Sequence, residues 1–257
     1  MAVNPDTGRT HSRYLRMLVN GHNLSGDMRS VSAFGVELDQ DDATGWSDDV
    51  TQYLAGRGRV LLDGFTAIFN NKAADPSGPT MAGVHIALSG TTEVYGSVFI
   101  GIRAAPVIGN PTFSAVFEKT AYSTNGDAVP MAQVTMGGSA VLPSSLSVWG
   151  HALAIGAELT ATGQGGSVDN GASSSGGYVA FLHVTQTAGA IGSNDWAFTI
   201  EHSANDSTWA TLATFAADGS ALGAERLEGS GTVNRYVRFQ YTRTAGTARP
   251  WVTFIRK

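Results

Sequence analysis

The carboxylates between Glu37 and Asp49 are the densest group of side chains with chemical potential: Asp39, Asp41, Asp42, Asp48 and Asp49 fall in one short stretch. Such a cluster holds calcium when acidic ligands alternate around a sharp glycine turn between two helices. Here the glycine and the helices are misplaced, so the bland reading is a solvated loop leading to a helix N-terminus, where Asp is favoured by capping and by the helix dipole. The six histidines, His11, His22, His85, His151, His183 and His202, are scattered, with no pair four residues apart and no His-Glu-x-x-His helix for zinc. Glu201 and His202 are neighbours on an expected strand and so point to opposite faces. No Gly-x-Ser-x-Gly elbow is present, and the GQGGS run at Gly163 lacks the lysine of a phosphate loop. With no cysteine there is no thiolate metal site, disulfide or cysteine nucleophile. These residues point away from an enzyme, and they imply neither a metal nor a cofactor.

The elements that must position these residues are strands. Only 14% of the 257 residues are charged while 32 are Gly, and Ala, Ser and Thr are abundant, which suits short strands and tight turns. The net charge of −5 argues against a general nucleic-acid binder, which would cluster Lys and Arg to neutralise phosphates. No apolar run approaches a membrane span, and the N-terminal residues lack a secretory apolar core, so a soluble cytoplasmic product is expected.

Strand-like runs occur at Tyr14–Val19, Val60–Phe69, Gly83–Leu88, Val94–Ile102, Thr112–Phe117 and Ala132–Met136, each bounded by turn residues. One short helix is expected over Ser47–Ala55, with Ser47 as N-cap and Gly56 beyond its end. Residues 160–177 read TATGQGGSVDNGASSSGG, a composition that buries too little apolar surface to offset the entropy of ordering; a linker or long loop is expected there. After it, strands are expected at Tyr178–Thr185, Trp196–His202, Thr208–Ala216, Glu225–Gly229, Arg235–Thr242 and Trp251–Arg256. The expected fold is therefore all-β with one short helix. Its organisation is a first β-sandwich or barrel domain over 1–159, the Gly/Ser-rich segment, and a jelly-roll or immunoglobulin-like sandwich over 178–257.

The order of features from Tyr14 to Asn71 carries a further signal. A short strand and an Asn-Gly turn lead to NLSGDMRSV, then to the acidic stretch, then to DVTQYLAGRGR and a strand ending at Phe69. This order resembles the major tail tube proteins of long-tailed, siphovirus-like bacteriophages. Asn110, Pro111, Gly126, Asp127 and Val134 resemble the later half of the same fold, while ADPSGP between Ala73 and Pro79 departs from it where a helix usually packs. The sequence from Tyr178 onward resembles sandwich domains appended to phage structural proteins.

The resemblance implies a virion protein, made in the host cytoplasm, that self-assembles into hexameric rings stacked as a tail tube for DNA ejection. Its implied partners are copies of itself and other tail proteins, namely tape measure, terminator and tail tip, with transient passage of DNA and no membrane. It also implies an inter-ring or lumenal role for Asp39, Asp41, Asp42, Asp48 and Asp49, with Trp46 as an interface anchor; the alternative is that Trp46 packs on its own core. The rival reading from another class is a capsid or tail decoration protein, or a carbohydrate-binding module, in which Trp196, Trp209 and Trp251 lie on the outer surface and stack on host glycans. Their regular strand placement favours core burial for most of them.

Overall fold

The computed structural model describes residues 14–26, 28–44, 49–51, 53–68, 93–102, 104–126, 131–137, 148–189 and 195–257. In chain order the strands are β1 (Leu15–Val19), β2 (His22–Asn23), β3 (Met28–Asp42), β4 (Tyr53–Ile68), β5 (Glu93–Ile100), β6 (Pro111–Thr124), β7 (Met131–Gly137) and β8 (Trp149–Ile155). They continue with β9 (Gly163–Gln164), β10 (Val168–Asp169), β11 (Tyr178–Ala188), β12 (Trp196–Ser203), β13 (Ala210–Thr214), β14 (Gly223–Gly229), β15 (Tyr236–Arg243) and β16 (Thr247–Arg256). The fold is all-β, and no α-helix occurs among the described residues. The helix expected over Ser47–Ala55 is corrected: Tyr53, Leu54 and Ala55 open β4, paired with Asp42, Asp41 and Gln40 of β3. Ser, Asp and Asn favour helix caps and hairpin turns for the same reason, their short polar side chains bonding nearby backbone, so those residues alone do not separate the two.

Eleven strands form one sheet, in the order β14-β11-β16-β8-β6-β5-β1-β2, with β7 beside β6, β4 beside β7, and β3 beside β4. A second sheet runs β10-β15-β12-β13, with β9 also on β15. Because β6 pairs with β8 over only three residues, Pro111 to Phe113, and with β7 over its other end, the large sheet forks there. One arm curls into a nearly closed barrel-like wall, and the other forms one layer of a sandwich.

Each arm has its own core. In the first, Met17, Val60, Leu62, Phe65, Val98, Phe113 and Phe117 pack together. In the second, the inner faces of both sheets meet through Tyr178, Leu182, Trp196, Phe198, Ile200, Val237, Phe239 and Phe254. Period-two alternation accounts for this: Trp196, Phe198 and Ile200 are buried while Ala197 is exposed.

β11 is buried on both faces, which explains its nearly continuous apolar run YVAFLHV. Tyr178, Ala180, Leu182 and Val184 face the sandwich core. Val179 and Phe181 face the other way, packing with Val116 and Ile255 and against Tyr95. Beside them Leu18, Phe99, Ala152 and Trp251 form a fourth cluster, with Phe99 and Trp251 edge to face at 5.0 Å between centroids. The two arms are thus joined by hydrogen-bonded strands and by apolar side chains.

The tight β1–β2 hairpin meets this junction. Asn20 and Gly21 have φ of 45° and 80°, the pair of positive angles that a two-residue type I′ turn demands. Asn20 Oδ1 accepts from the Tyr95 N–H at 2.7 Å, and a Cβ on Gly21 would stand 2.5 Å from Gly223 backbone atoms.

The Gly/Ser-rich stretch 160–177 lies along the sandwich. Gly165 N–H donates to Phe239 O at 2.8 Å, Asn170 N–H to Arg235 O at 3.0 Å, and Ser174 exchanges both backbone bonds with Val233. Glycines there let the chain pair its backbone with β15 although few side chains are buried, Val168 being one.

Candidate functional site

The β3–β4 hairpin is the most distinctive feature among the described residues. At about 3.4 Å per residue, fifteen-residue β3 spans roughly 50 Å. β4 pairs with β7 only from Leu62 onward. Val60, opposite Val36, still belongs to the core, so among the described residues the outer part, residues 37–42 of β3 with 53–59 of β4, is a two-stranded ribbon reaching roughly 20 Å beyond the wall. Two-stranded ribbons are marginal in water and expose unpaired backbone edges. At its base Val36 is 36% exposed, and Glu37 on it is exposed.

The acidic residues sit at its tip. Asp39, Asp41 and Asp42 are the last residues of β3, and Asp42 and Asp49 are exposed. Trp46 and Asp48 lie outside the described residues. Asp42 Oδ1 accepts from the Thr44 hydroxyl at 2.5 Å and from its N–H at 2.9 Å, and these two bonds hold its carboxyl below the usual range. Among the described residues no group of acidic, histidine or cysteine side chains is placed to hold a metal. The arrangement presents negative charge on an exposed lever, which repels phosphates.

At the root of the ribbon, β1 and β3 border an apolar cleft of about 260 Å³ lined by Leu15, Met17, Met28, Val31 and Phe34, with Arg29 at its margin. Near its wall Phe34, Phe113 and Trp149 meet at 5.4–6.1 Å between centroids, leaving Trp149 48% exposed.

A buried polar chain at the junction combines serine and histidine. His183 Nδ1 accepts from the Gly21 N–H at 3.2 Å, which leaves the proton on Nε2, 2.8 Å from Ser97 Oγ. Ser114 Oγ donates to Ser97 Oγ at 2.7 Å. A nucleophilic serine needs a histidine that accepts its proton, whereas this histidine donates, and all three side chains are buried. Burial, reinforced by nearby His22, pushes the His183 pKa down to about 3. The chain is a structural tie between the arms. The sequence showed neither Ser97 nor Ser114, because nothing in their spacing marks them.

The three tryptophans named as surface aromatics separate. Trp196 and Trp251 are corrected: at 2% and 7% exposure they are core residues, Trp196 stacked on Phe198 and Trp251 against Phe99, because each occupies an inward strand position. Trp209 is half-buried, with the Arg238 guanidinium 4.1 Å from its ring centroid.

A two-sheet, all-β chain with a protruding acidic ribbon is the class these features define. No family model matches the chain, and no curated protein does. Among solved structures, the Dit protein (gp 19.1) of phage SPP1, described as a paradigm of the hub adsorption apparatus in phages infecting Gram-positive hosts, aligns over 93% of this chain and 98% of its own at 12% identity, with a TM-score of 0.31. A chain of the phage P2 baseplate, activated with calcium, aligns over 95% and 98% at 8% identity and a TM-score of 0.34. The strontium form gives the same coverage at 9% identity and 0.34. Superpositions at these scores define no shared fold.

Proposed function

We propose that this chain is a structural protein of a bacteriophage tail, that copies of it close into rings, and that the rings stack into a tube passing DNA. The observation that carries this reading is the outer β3–β4 ribbon. It is a long two-stranded lever with an acidic tip, placed where the sequence resembles the tail tube family. A ribbon of this length is stabilised when a neighbouring copy covers its edges. Contacts of one surface with a different surface on the next copy either close as rings or continue as filaments. The aspartates at the tip then line a passage or an inter-ring joint and keep phosphates from adhering. Six copies per ring is what the resemblance implies, and the tape measure, terminator and tail tip proteins are the other partners it implies.

Negative-stain electron microscopy of the concentrated protein tests this. Stacked hollow rings are expected. Replacing residues 39–57 with a two-residue Asn-Gly turn, which joins the paired Leu38 and Gly58, should abolish them while the protein stays folded. Single rings that do not stack would keep the ring and remove the tube, and monodisperse monomers at every salt and concentration would overturn both.

A further inference from the structure

The outer face of the five-stranded sheet carries two arginine–carboxylate pairs built differently. Arg235 makes a fork to Asp169, Nε to Oδ1 at 2.7 Å and Nη2 to Oδ2 at 2.6 Å, which uses both carboxylate oxygens. Arg238 instead sends Nε and Nη2 to the same oxygen of Glu201, Oε2, each at 2.7 Å. Among the described residues Glu201 Oε1 and Arg238 Nη1 have no protein partner, and neither is a buried, unpartnered atom, so both reach solvent. One donor and one acceptor thus remain open on a pair with no net charge.

Trp209 stands beside them. The Arg238 guanidinium stands 4.1 Å from its ring centroid, and the half-buried ring keeps part of its surface in solvent. The loop that delivers Trp209 is firmly tied: Asn205 Oδ1 accepts from the Ser203 hydroxyl at 3.0 Å, the Ser207 N–H at 3.1 Å and the Thr208 N–H at 2.9 Å. Asp206 within it takes a φ of 59°, a backbone state that non-glycine residues adopt only where the surroundings fix it. Thr211, exposed, is the cross-strand partner of Glu201, and Glu201 of Arg238, so these side chains share one face.

We propose that this face is a binding site for a neutral saccharide unit of a surface polysaccharide. The solvent-exposed part of the Trp209 ring stacks on the apolar C–H face of a pyranose ring. Glu201 Oε1 accepts from one ring hydroxyl, and Arg238 Nη1 donates to its neighbour. The closed charge balance of the pair selects an uncharged ligand, since an anion or cation would gain no unpaired counter-charge. Fixing the loop in advance limits the entropy lost on binding.

Isothermal titration of the full-length chain with the methyl glycosides of glucose, galactose, rhamnose and N-acetylglucosamine tests the proposal. Saturable heat is expected for at least one, with a millimolar dissociation constant, and Trp209→Ala or Glu201→Gln should weaken it tenfold or more. Thr211→Trp leaves the pair and Trp209 intact but crowds the face, and should abolish the heat even if the other two variants fail to fold. Absence of saturable heat with all four glycosides would overturn the site, as would wild-type binding by folded Thr211→Trp.

Discussion

The two arms of the molecule solve the edge problem of β-structure in opposite ways. The sandwich arm encloses its core between two sheets, so that Phe239 and Val237 are almost wholly buried. The first arm also has a core, but it extends β3 and β4 beyond it, where Glu37 and Asp42 meet solvent. Stability is thus concentrated where both faces of a strand are covered, and the surface available for association is concentrated where they are not.

Paired substitutions sharpen this contrast. Phe239→Ala empties a site with full neighbours on all sides and should cost about 3–5 kcal/mol. Phe34→Ala removes a ring only half-covered at the root of the ribbon, and should cost roughly 1–2 kcal/mol. Urea unfolding followed by circular dichroism reads both; equal losses would break the distinction between a closed and an open arm.

A smaller effect comes from the tie between the arms. The folded protein keeps His183 neutral down to about pH 3, whereas its ordinary pKa is 6.5. As pH falls below 6.5 the unfolded chain therefore binds a proton that the native chain does not, and stability declines towards the folded value. The slope approaches about 1.4 kcal/mol per pH unit for one proton. His22 and His202, also pushed down by burial, add to the slope in the same direction, so unfolding midpoints measured between neutral pH and the onset of carboxylate titration should fall in the wild type and fall less steeply in a His183→Leu variant.

The smallest effect is expected at the sandwich surface. Arg235 and Asp169 form a fork, but both side chains are 43% exposed, and water and salt screen such pairs. Arg235→Ala should leave the thermal midpoint unchanged within measurement error; a clear fall would show that the stretch 160–177, which Asp169 belongs to, is held by that pair rather than by its backbone bonds.

The same contrast decided what could be read from the sequence. β12 and β15 were legible because Trp196, Phe198 and Ile200, and Val237 and Phe239, alternate with polar residues as a half-buried strand must. β3 was legible only in part: Phe34, Val36 and Leu38 alternate with Gly35, Glu37 and Asp39, but the pattern stops at Gln40, Asp41 and Asp42, where no apolar residue marks the strand. The start of β4 was mistaken for helix because Tyr53-Leu54-Ala55 suits either state and Ser47 suits a cap or a turn. Composition suggests a linker or long loop at 160–177 because glycine's backbone pairing along the sandwich leaves no side-chain pattern. At the candidate sites the acidic tip was visible as a cluster of types, whereas the Glu201–Arg238–Trp209 face needed the register of three strands to assemble it.

The pairing of β8 with β16 has a consequence for synthesis. Trp251 and Phe254 come opposite Ile155 and His151, roughly a hundred positions apart in the chain. A ribosome adding about 5–20 residues per second takes some 5–20 s to cover that distance. For that interval β8 waits on the nascent chain with one edge unfilled, beside other nascent chains that carry the same β16. Crowded translation of one message thus invites exchange of β16 between chains, and fast, well-spaced translation favours the intramolecular closure seen here.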